Sequence, residues 1–181
     1  MTVPMKKTRK GTLYLLPVTL GPGKVSDVLP ALHGVILNSL DLFIVENIRS
    51  ARRFLKAAGY EGSLDEEHFL LLNEHTLESE LPHLLQALIG GKDTGLMSES
   101  GIPCVADPGS ALVKAAQEAG IRVKPISGPS SIFLALMASG FNGQAFTFHG
   151  YLPREGADLI RTIEHLERDV INTGRTHIFI E

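Results

Sequence analysis

Two loops and one helical face hold the residues whose types and spacing could do chemistry. The stretch Ser98–Leu112, SESGIPCVADPGSAL, puts small, polar and proline residues between an apolar run, TGLM, and a helix-like run, SALVKAAQEAG. A connection between elements needs about four to six residues, and this one is longer. Gly101 lets a ligand approach the backbone closely, and Pro103 fixes the loop's path. The loop offers free backbone N–H and C=O groups and few charges. It suits an adenosine or amino-acid ligand better than a triphosphate, which calls for lysines. The segment SGPSS (127–131) places Ser130 and Ser131 in the first turn of a following helix. Those hydroxyls either cap the helix or share its unpaired N–H groups with a bound carboxylate. In IRSARRFLKAAG, Arg49, Arg52, Arg53 and Lys56 recur at i, i+3, i+4 and i+7. They form one basic face, either a solvated surface or a patch for a phosphate-bearing substrate.

The elements that must position these residues alternate along the chain. TLYLLP (12–17), LFIVE (42–46), FLLL (69–72), TGLMS (94–98) and IRVKPIS (121–127) read as strands. Between the first two, GPG (21–23) leads to Ser26 and Asp27 as candidate caps, with Pro30 in a first helical turn. IRSARRFLKAAG is a helix stopped by Gly59, and TLESELPHLLQALIGG one ended by Gly90-Gly91. Asp107 as N-cap and Pro108 at N1 predict a helix running to about Ala119 and stopped by Gly120. PSSIFLALMASG is apolar on nearly every face, which predicts a buried helix. The alternation predicts an α/β fold with a mainly parallel sheet flanked by helices. Ligands in such sheets lie beyond the carboxyl ends of the strands, at a topological switch point. GPG, the Ser98–Leu112 loop and SGPSS all follow strands and can line one edge. After Gly143 the pattern changes to FTFHGY as a strand, LPREGAD as a turn, DLIRTIEHLERDV as a helix and THIFIE as a strand. Residues 1–143 read as an N-terminal domain and 144–181 as the beginning of a second, incomplete α/β domain.

Bulk properties exclude several classes. Hydrophobic content of 44% and charged content of 20% support a packed core and argue against disorder. The single cysteine, Cys104, forms no internal disulfide and reads as a small buried apolar residue, which fits a reducing, cytoplasmic setting. No apolar run approaches the roughly 18 residues of a membrane span. The opening MTVPMKKTRKG has a basic cluster, but the apolar run behind it is broken at Pro17, so export is not expected. KKTRK reads as a solvated tail. A net charge of −3 is unlike that of a dedicated DNA binder. GPGK fails as a P-loop because Val18 stands where the first glycine belongs and Val25 where Ser or Thr belongs. A dinucleotide fingerprint from Gly21 fails at Ser26. There is no HExxH, no Cys/His pair and no GxSxG, so neither a metal site nor a nucleophile elbow is expected.

Taken together, these residues resemble the tetrapyrrole methylase superfamily and, within it, the ribosomal RNA small subunit methyltransferase I branch. LYLL with Gly21 is similar to that family's first strand and loop. ENIRSARRFL (46–55) resembles its Glu-Asp-Thr-Arg segment, and NEHT (73–76) its Glu-His-Asn segment. Residues 96–140 resemble its longest motif block nearly end to end, and FTFHGYLPRE (146–155) the start of its second domain. The resemblance implies a two-domain, homodimeric methyltransferase using S-adenosylmethionine as cosubstrate and no metal. It implies cofactor contacts from Gly21, from Ser98, Glu99, Ser100, Gly101, Asp107, Pro108 and Gly109, and from Gly128, Pro129, Ser130 and Ser131. The implied acceptor is a cytidine ribose 2′-hydroxyl in the rRNA of the small ribosomal subunit. The chain also departs from the pattern. The Thr-Pro-Ile-Gly-Asn loop is Val18-Thr19-Leu20-Gly21-Pro22, Asp-Thr is Asn47-Ile48, and Ser-Asp-Ala-Gly is Ser98-Glu99-Ser100-Gly101.

Methyl transfer from a sulfonium needs in-line alignment within about 3–3.5 Å, and a hydroxyl acceptor gains from a base. Glu46, Glu74, His75 and Glu99 are the base candidates, with Arg49 and its basic face steering the phosphate backbone. Two other functions stay open. One is the same chemistry on a tetrapyrrole, another small molecule or a protein residue. The other is a cofactor-binding module without activity.

Overall fold

The computed structural model describes residues 9–180. Most of the basic tail at the N-terminus lies outside the described residues. At its end, Lys10 donates to the carbonyl of Ala119. The chain divides into two compact units between Pro129 and Ser130.

The first unit is a three-layer α/β domain. Its strands are β1 (Thr12–Leu15), β2 (Phe43–Val45), β3 (Phe69–Leu71), β4 (Thr94–Met97) and β5 (Arg122–Pro125). They form one parallel sheet in the order β3-β2-β4-β1-β5. Helices α1 (Val25–Val28), α2 (Ala31–Leu37), α3 (Ile48–Ala57), α4 (Leu81–Ile89) and α5 (Ser110–Glu118) connect them. Pro30 stands at the N-cap position of α2, one residue before the first helical turn, and makes no side-chain cap bond.

The period-2 alternation of the strands sorts the core into two faces. Leu13, Ile44 and Leu96 point to one face, where α4 brings Leu81, Leu84, Leu85 and Leu88 and α5 brings Leu112 and Ala116. Leu16, Phe43, Val45 and Met97 point to the other, under Ile36 and Leu37 of α2 and Ala51 and Leu55 of α3. Gly95 pairs with Phe43 across β2 and β4. A Cβ there would meet Leu16 at 2.5 Å and Phe43 at 3.0 Å, so glycine at this strand position makes room for the largest buried ring.

The strand order also fixes where a ligand can lie. β1 and β4 are neighbours, yet the chain leaves β1 toward β2 and leaves β4 toward β5, in opposite directions across the sheet. This is a topological switch point, and it opens a crevice beyond the carboxyl ends of β1 and β4.

The second unit holds α6 (Ser131–Ser139), β6 (Phe146–Tyr151), α7 (Gly156–Thr173) and β7 (Thr176–Ile180). β6 and β7 pair in parallel, with a register shift between Phe148 and Tyr151 where Gly150 takes φ +69°. Between α7 and the sheet, His177 Nε2 lies 2.9 Å from Asp169 and His177 Nδ1 lies 2.8 Å from His149 Nε2. Burial, then the neighbouring His177, holds His149 below the usual histidine range. The expectation of a buried α6 is corrected: only Ile132 is buried, and Phe133, Leu134 and Met137 are 51%, 48% and 78% exposed. A two-stranded sheet with one long helix offers α6 little apolar surface, chiefly Phe146, whose ring meets Phe133 edge-on at 6.0 Å.

No helix among the described residues is long and apolar enough to cross a membrane.

Candidate functional site

The loops after β1, β4 and β5 converge at the switch point. Leu16 N–H still donates to Leu96 in the sheet, but Val18 N–H donates to the carbonyl of Gly101 at 2.8 Å, joining the first two loops. Gly101 sits at φ +69°, and a Cβ on it would stand 3.1 Å from Leu20 and 3.5 Å from the Pro129 carbonyl oxygen. Gly128 touches the Pro17 ring so closely that an added Cβ would lie 2.1 Å from it. Ser98 is buried at the end of β4 and donates to the Ser100 carbonyl at 3.3 Å. Gly21 is exposed, with open space where a side chain would go. Ser130 is the N-cap of α6 in the second unit and makes no side-chain cap bond; Ser131 begins that helix.

The helix after the long loop starts later than Asp107 and Pro108 predict. α5 begins at Ser110, with Gly109 as N-cap at φ +129°. Upstream, Cys104 and Ala106 take φ +70° and +60°. These left-handed steps keep Asp107 out of a cap position. Two non-glycine residues in this region store strain at the crevice. Replacing exposed Ala106 with glycine should stabilise the fold by about 0.5–1 kcal/mol, seen as a higher urea midpoint. Burial, and then the charge of Asp107, pushes the Cys104 thiol up to about 11. At neutral pH it is a protonated packing group whose Sγ lies against Gly109.

An acidic edge flanks the loops. Glu46 follows β2, Glu74 follows β3, and Glu99 and Asp107 lie in the loop after β4. The backbone N–H of Glu99 donates to Glu46 Oε2 at 3.2 Å, and Ser50 Oγ donates to Glu99 Oε1 at 2.5 Å. Partial burial raises the Glu46 carboxyl; the Glu99 N–H opposes this, and the charges of Asp107, Glu99 and Glu74 add to it. Burial likewise raises Asp107, with the Ser98 hydroxyl opposing and Glu99 reinforcing. A carboxylate so poised at a strand end is suited to take up a proton.

Other expected residues are largely exposed or serve the fold. His75 and Glu74 form a surface pair at 3.6 Å, more than four-fifths exposed. Arg49 is exposed in the first turn of α3 and makes no ion pair among those the described residues form. Of the basic face, Arg52 is committed to structure. Its Nε donates to Leu64 O at 2.7 Å and its guanidinium lies 5.5 Å over the Phe69 ring. Arg49, Arg53 and Lys56 remain exposed. Sequence reasoning missed Asn47 and Ser50. Asn47 caps α3 by accepting from the N–H groups of Arg49 and Ser50, and Ser50 is the bridge to Glu99. An Asn directly before a helical run is a cap signal that identifies the first; only the approach of two distant loops reveals the second.

The donor set fits S-adenosylmethionine. With Val18 N–H and Gly101 C=O joined to each other, the crevice still offers the Val18 carbonyl, the Gly101 N–H and the Gly128 backbone, and no cationic side chain in the loops 98–109 and 126–129. The carboxylates of Glu46, Glu99 and Asp107 favour a ligand that carries positive charge.

A parallel α/β sheet with a glycine-built crevice at its switch point defines a nucleoside- or cofactor-binding class of domain. The chain belongs to the tetrapyrrole (corrin/porphyrin) methylase family, which it matches over residues 20–178. It is 35% identical to the "Ribosomal RNA small subunit methyltransferase I" of Xylella fastidiosa strain Temecula1, over 94% of this chain and 58% of that protein. It is 31% identical to the protein of the same name from Escherichia coli O157:H7, over 95% and 58%. The Leptospira borgpetersenii protein of that name is 36% identical, over 98% and 65%. The chain thus spans about three-fifths of the length of these relatives. The fold is similar to that of a crystal structure of uroporphyrin-III-C-methyltransferase from Thermus thermophilus, with a TM-score of 0.50 and 19% identity over 80% of this chain and 64% of that one.

Proposed function

We propose that this chain is the cofactor-binding part of an S-adenosylmethionine-dependent methyltransferase acting on small-subunit ribosomal RNA, at the 2′-hydroxyl of a cytidine ribose. The observation that carries the reading is the convergence of the loops after β1, β4 and β5 at the switch point, in a chain about one-third identical to proteins named as small-subunit ribosomal RNA methyltransferases. Residues 144–181 begin a second domain in this reading, and the working enzyme is a cytoplasmic homodimer.

S-adenosylmethionine supplies an electrophilic methyl group on a sulfonium. The chain's own residues do the rest. Backbone groups of Val18, Gly101 and Gly128 orient the cofactor, and the acidic edge favours its positive charge. Glu46, held by the Glu99 N–H, takes the proton of the acceptor hydroxyl as the new bond forms. Arg49, Arg53 and Lys56 attract the phosphate backbone, so binding to rRNA weakens as salt rises.

A second reading keeps the chemistry and changes the acceptor to a tetrapyrrole, another small molecule or a protein residue. It draws on the chain's departures from the branch pattern at 18–22, 47–48 and 98–100. Calorimetric titration with S-adenosylhomocysteine tests the part common to both. Micromolar binding, about −8 kcal/mol, is expected. No binding to this chain or to the full-length gene product overturns both readings.

A further inference from the structure

We propose that His33 is a positioning residue for the crevice: from beneath, its imidazole holds the Pro17 carbonyl and so sets where the loop after β1 meets the loops after β4 and β5. The proposal rests on reading those loops as the cofactor wall. His33 lies on α2 and is 1% exposed. Its Nε2 is 2.8 Å from Pro17 O, and the Phe54 ring meets it edge-on at 5.9 Å. A carbonyl only accepts, so Nε2 carries the proton. Burial holds this imidazole below the usual histidine range, which keeps it neutral near pH 7.

The position of this bond gives it leverage. Pro17 is buried, has no N–H to donate and lies just past the last ladder bond of β1, Leu16 N–H to Leu96 O. A buried carbonyl there needs a partner from another layer, and the α2 histidine provides it. One residue on, Val18 N–H is held by Gly101. The chain is therefore pinned at successive residues, once by the helical layer and once by the long loop. The Pro17 ring is also the surface that closes on Gly128. A small movement at Pro17 thus reaches all three loops. His33 walls a cleft of about 560 Å³ that also touches Lys24, Leu29 and the end of α3 at Ala57–Gly59.

The test compares the wild-type chain with His33→Leu, which removes the donor, and His33→Gln, whose amide N–H replaces Nε2–H. Amide hydrogen exchange and S-adenosylhomocysteine titration are read in parallel. In His33→Leu the Val18 amide should exchange at least tenfold faster while the Leu16 amide stays at its wild-type rate, and the Kd should rise about tenfold. His33→Gln should restore both. Equal exchange at Val18 in all three proteins overturns the proposal. So does Leu16 accelerating as much as Val18, which marks His33 as a general packing residue, and so does a Gln variant as fast as the Leu variant. If the wild type binds no S-adenosylhomocysteine but Val18 exchange follows the pattern, the latch stands and the cofactor reading falls.

Discussion

Gly128→Ala should weaken S-adenosylhomocysteine binding at least a hundredfold while costing about 2–3 kcal/mol of stability, the range of an overpacked site. The Cβ it adds would lie 2.1 Å from Pro17 Cβ, 2.3 Å from Pro17 Cγ and 3.4 Å from Leu29. Contacts under 3.0 Å cannot stand, and the proline ring has no rotamer by which to yield. Either Pro17 or the loop after β5 must move by more than an ångström, and Pro17 is buried and held by His33. The expected result is therefore a molecule that still folds, with a misassembled crevice. Gly34→Ala is the control. Gly34 lies within α2 with nothing within 4 Å of an added Cβ, so alanine should leave binding intact and raise stability by up to about 1 kcal/mol. Titration and urea denaturation of the three proteins check both effects. Wild-type affinity in Gly128→Ala would place the ligand elsewhere than the Pro17–Gly128 contact.

Glu46→Gln should lower turnover by a factor of about 10²–10⁴, the usual range for a lost general base, with S-adenosylhomocysteine affinity changed less than threefold. Turnover is measured in the full-length gene product with small ribosomal subunits as acceptor. Glutamine keeps the size of the side chain and can still accept from the Glu99 N–H, so the loops stay in place while the proton acceptor is lost. Stability moves the other way. The Glu46 carboxyl is raised in the folded chain, so the folded state binds its proton more tightly than the unfolded one. The contribution of Glu46 is fully present below its unfolded value and is lost as pH rises through the raised folded value. Glu46→Gln should accordingly be more stable than wild type at pH 7–8, and the difference should shrink toward pH 4. Unchanged turnover removes Glu46 from the chemistry. A stability difference that grows as pH falls contradicts the assigned direction of the shift.

The elements of the first unit were legible because its strands are short apolar or alternating runs bounded by glycine and proline. β1, β2, β3 and β4 lie within TLYLLP, LFIVE, FLLL and TGLMS, and Gly59 and Gly91 close α3 and α4 at positive φ as end signals predict. Two local readings failed for physical reasons. Asp107-Pro108 has the composition of a helix start, but the left-handed backbone at Cys104 and Ala106 delays the helix to Ser110. The apolar run of α6 carries the pattern of a buried helix, yet burial depends on what faces it, and its own unit supplies mainly Phe146.

The sequence by itself determined the alternating α/β order, the parallel sheet and the glycine loops that had to follow its strands. It also determined the family, through the 96–140 block. These are local properties, written in periodicity and in residues that permit or forbid particular backbone angles. Only the tertiary structure decided which loops meet, that Ser50 joins Glu99 across 49 residues of chain, that Arg52 serves Leu64 and Phe69 and not a ligand, and that His33 reaches Pro17. Those contacts depend on strand order, and strand order is set by how the two faces of the sheet bury their apolar halves. No window of neighbouring residues contains that information.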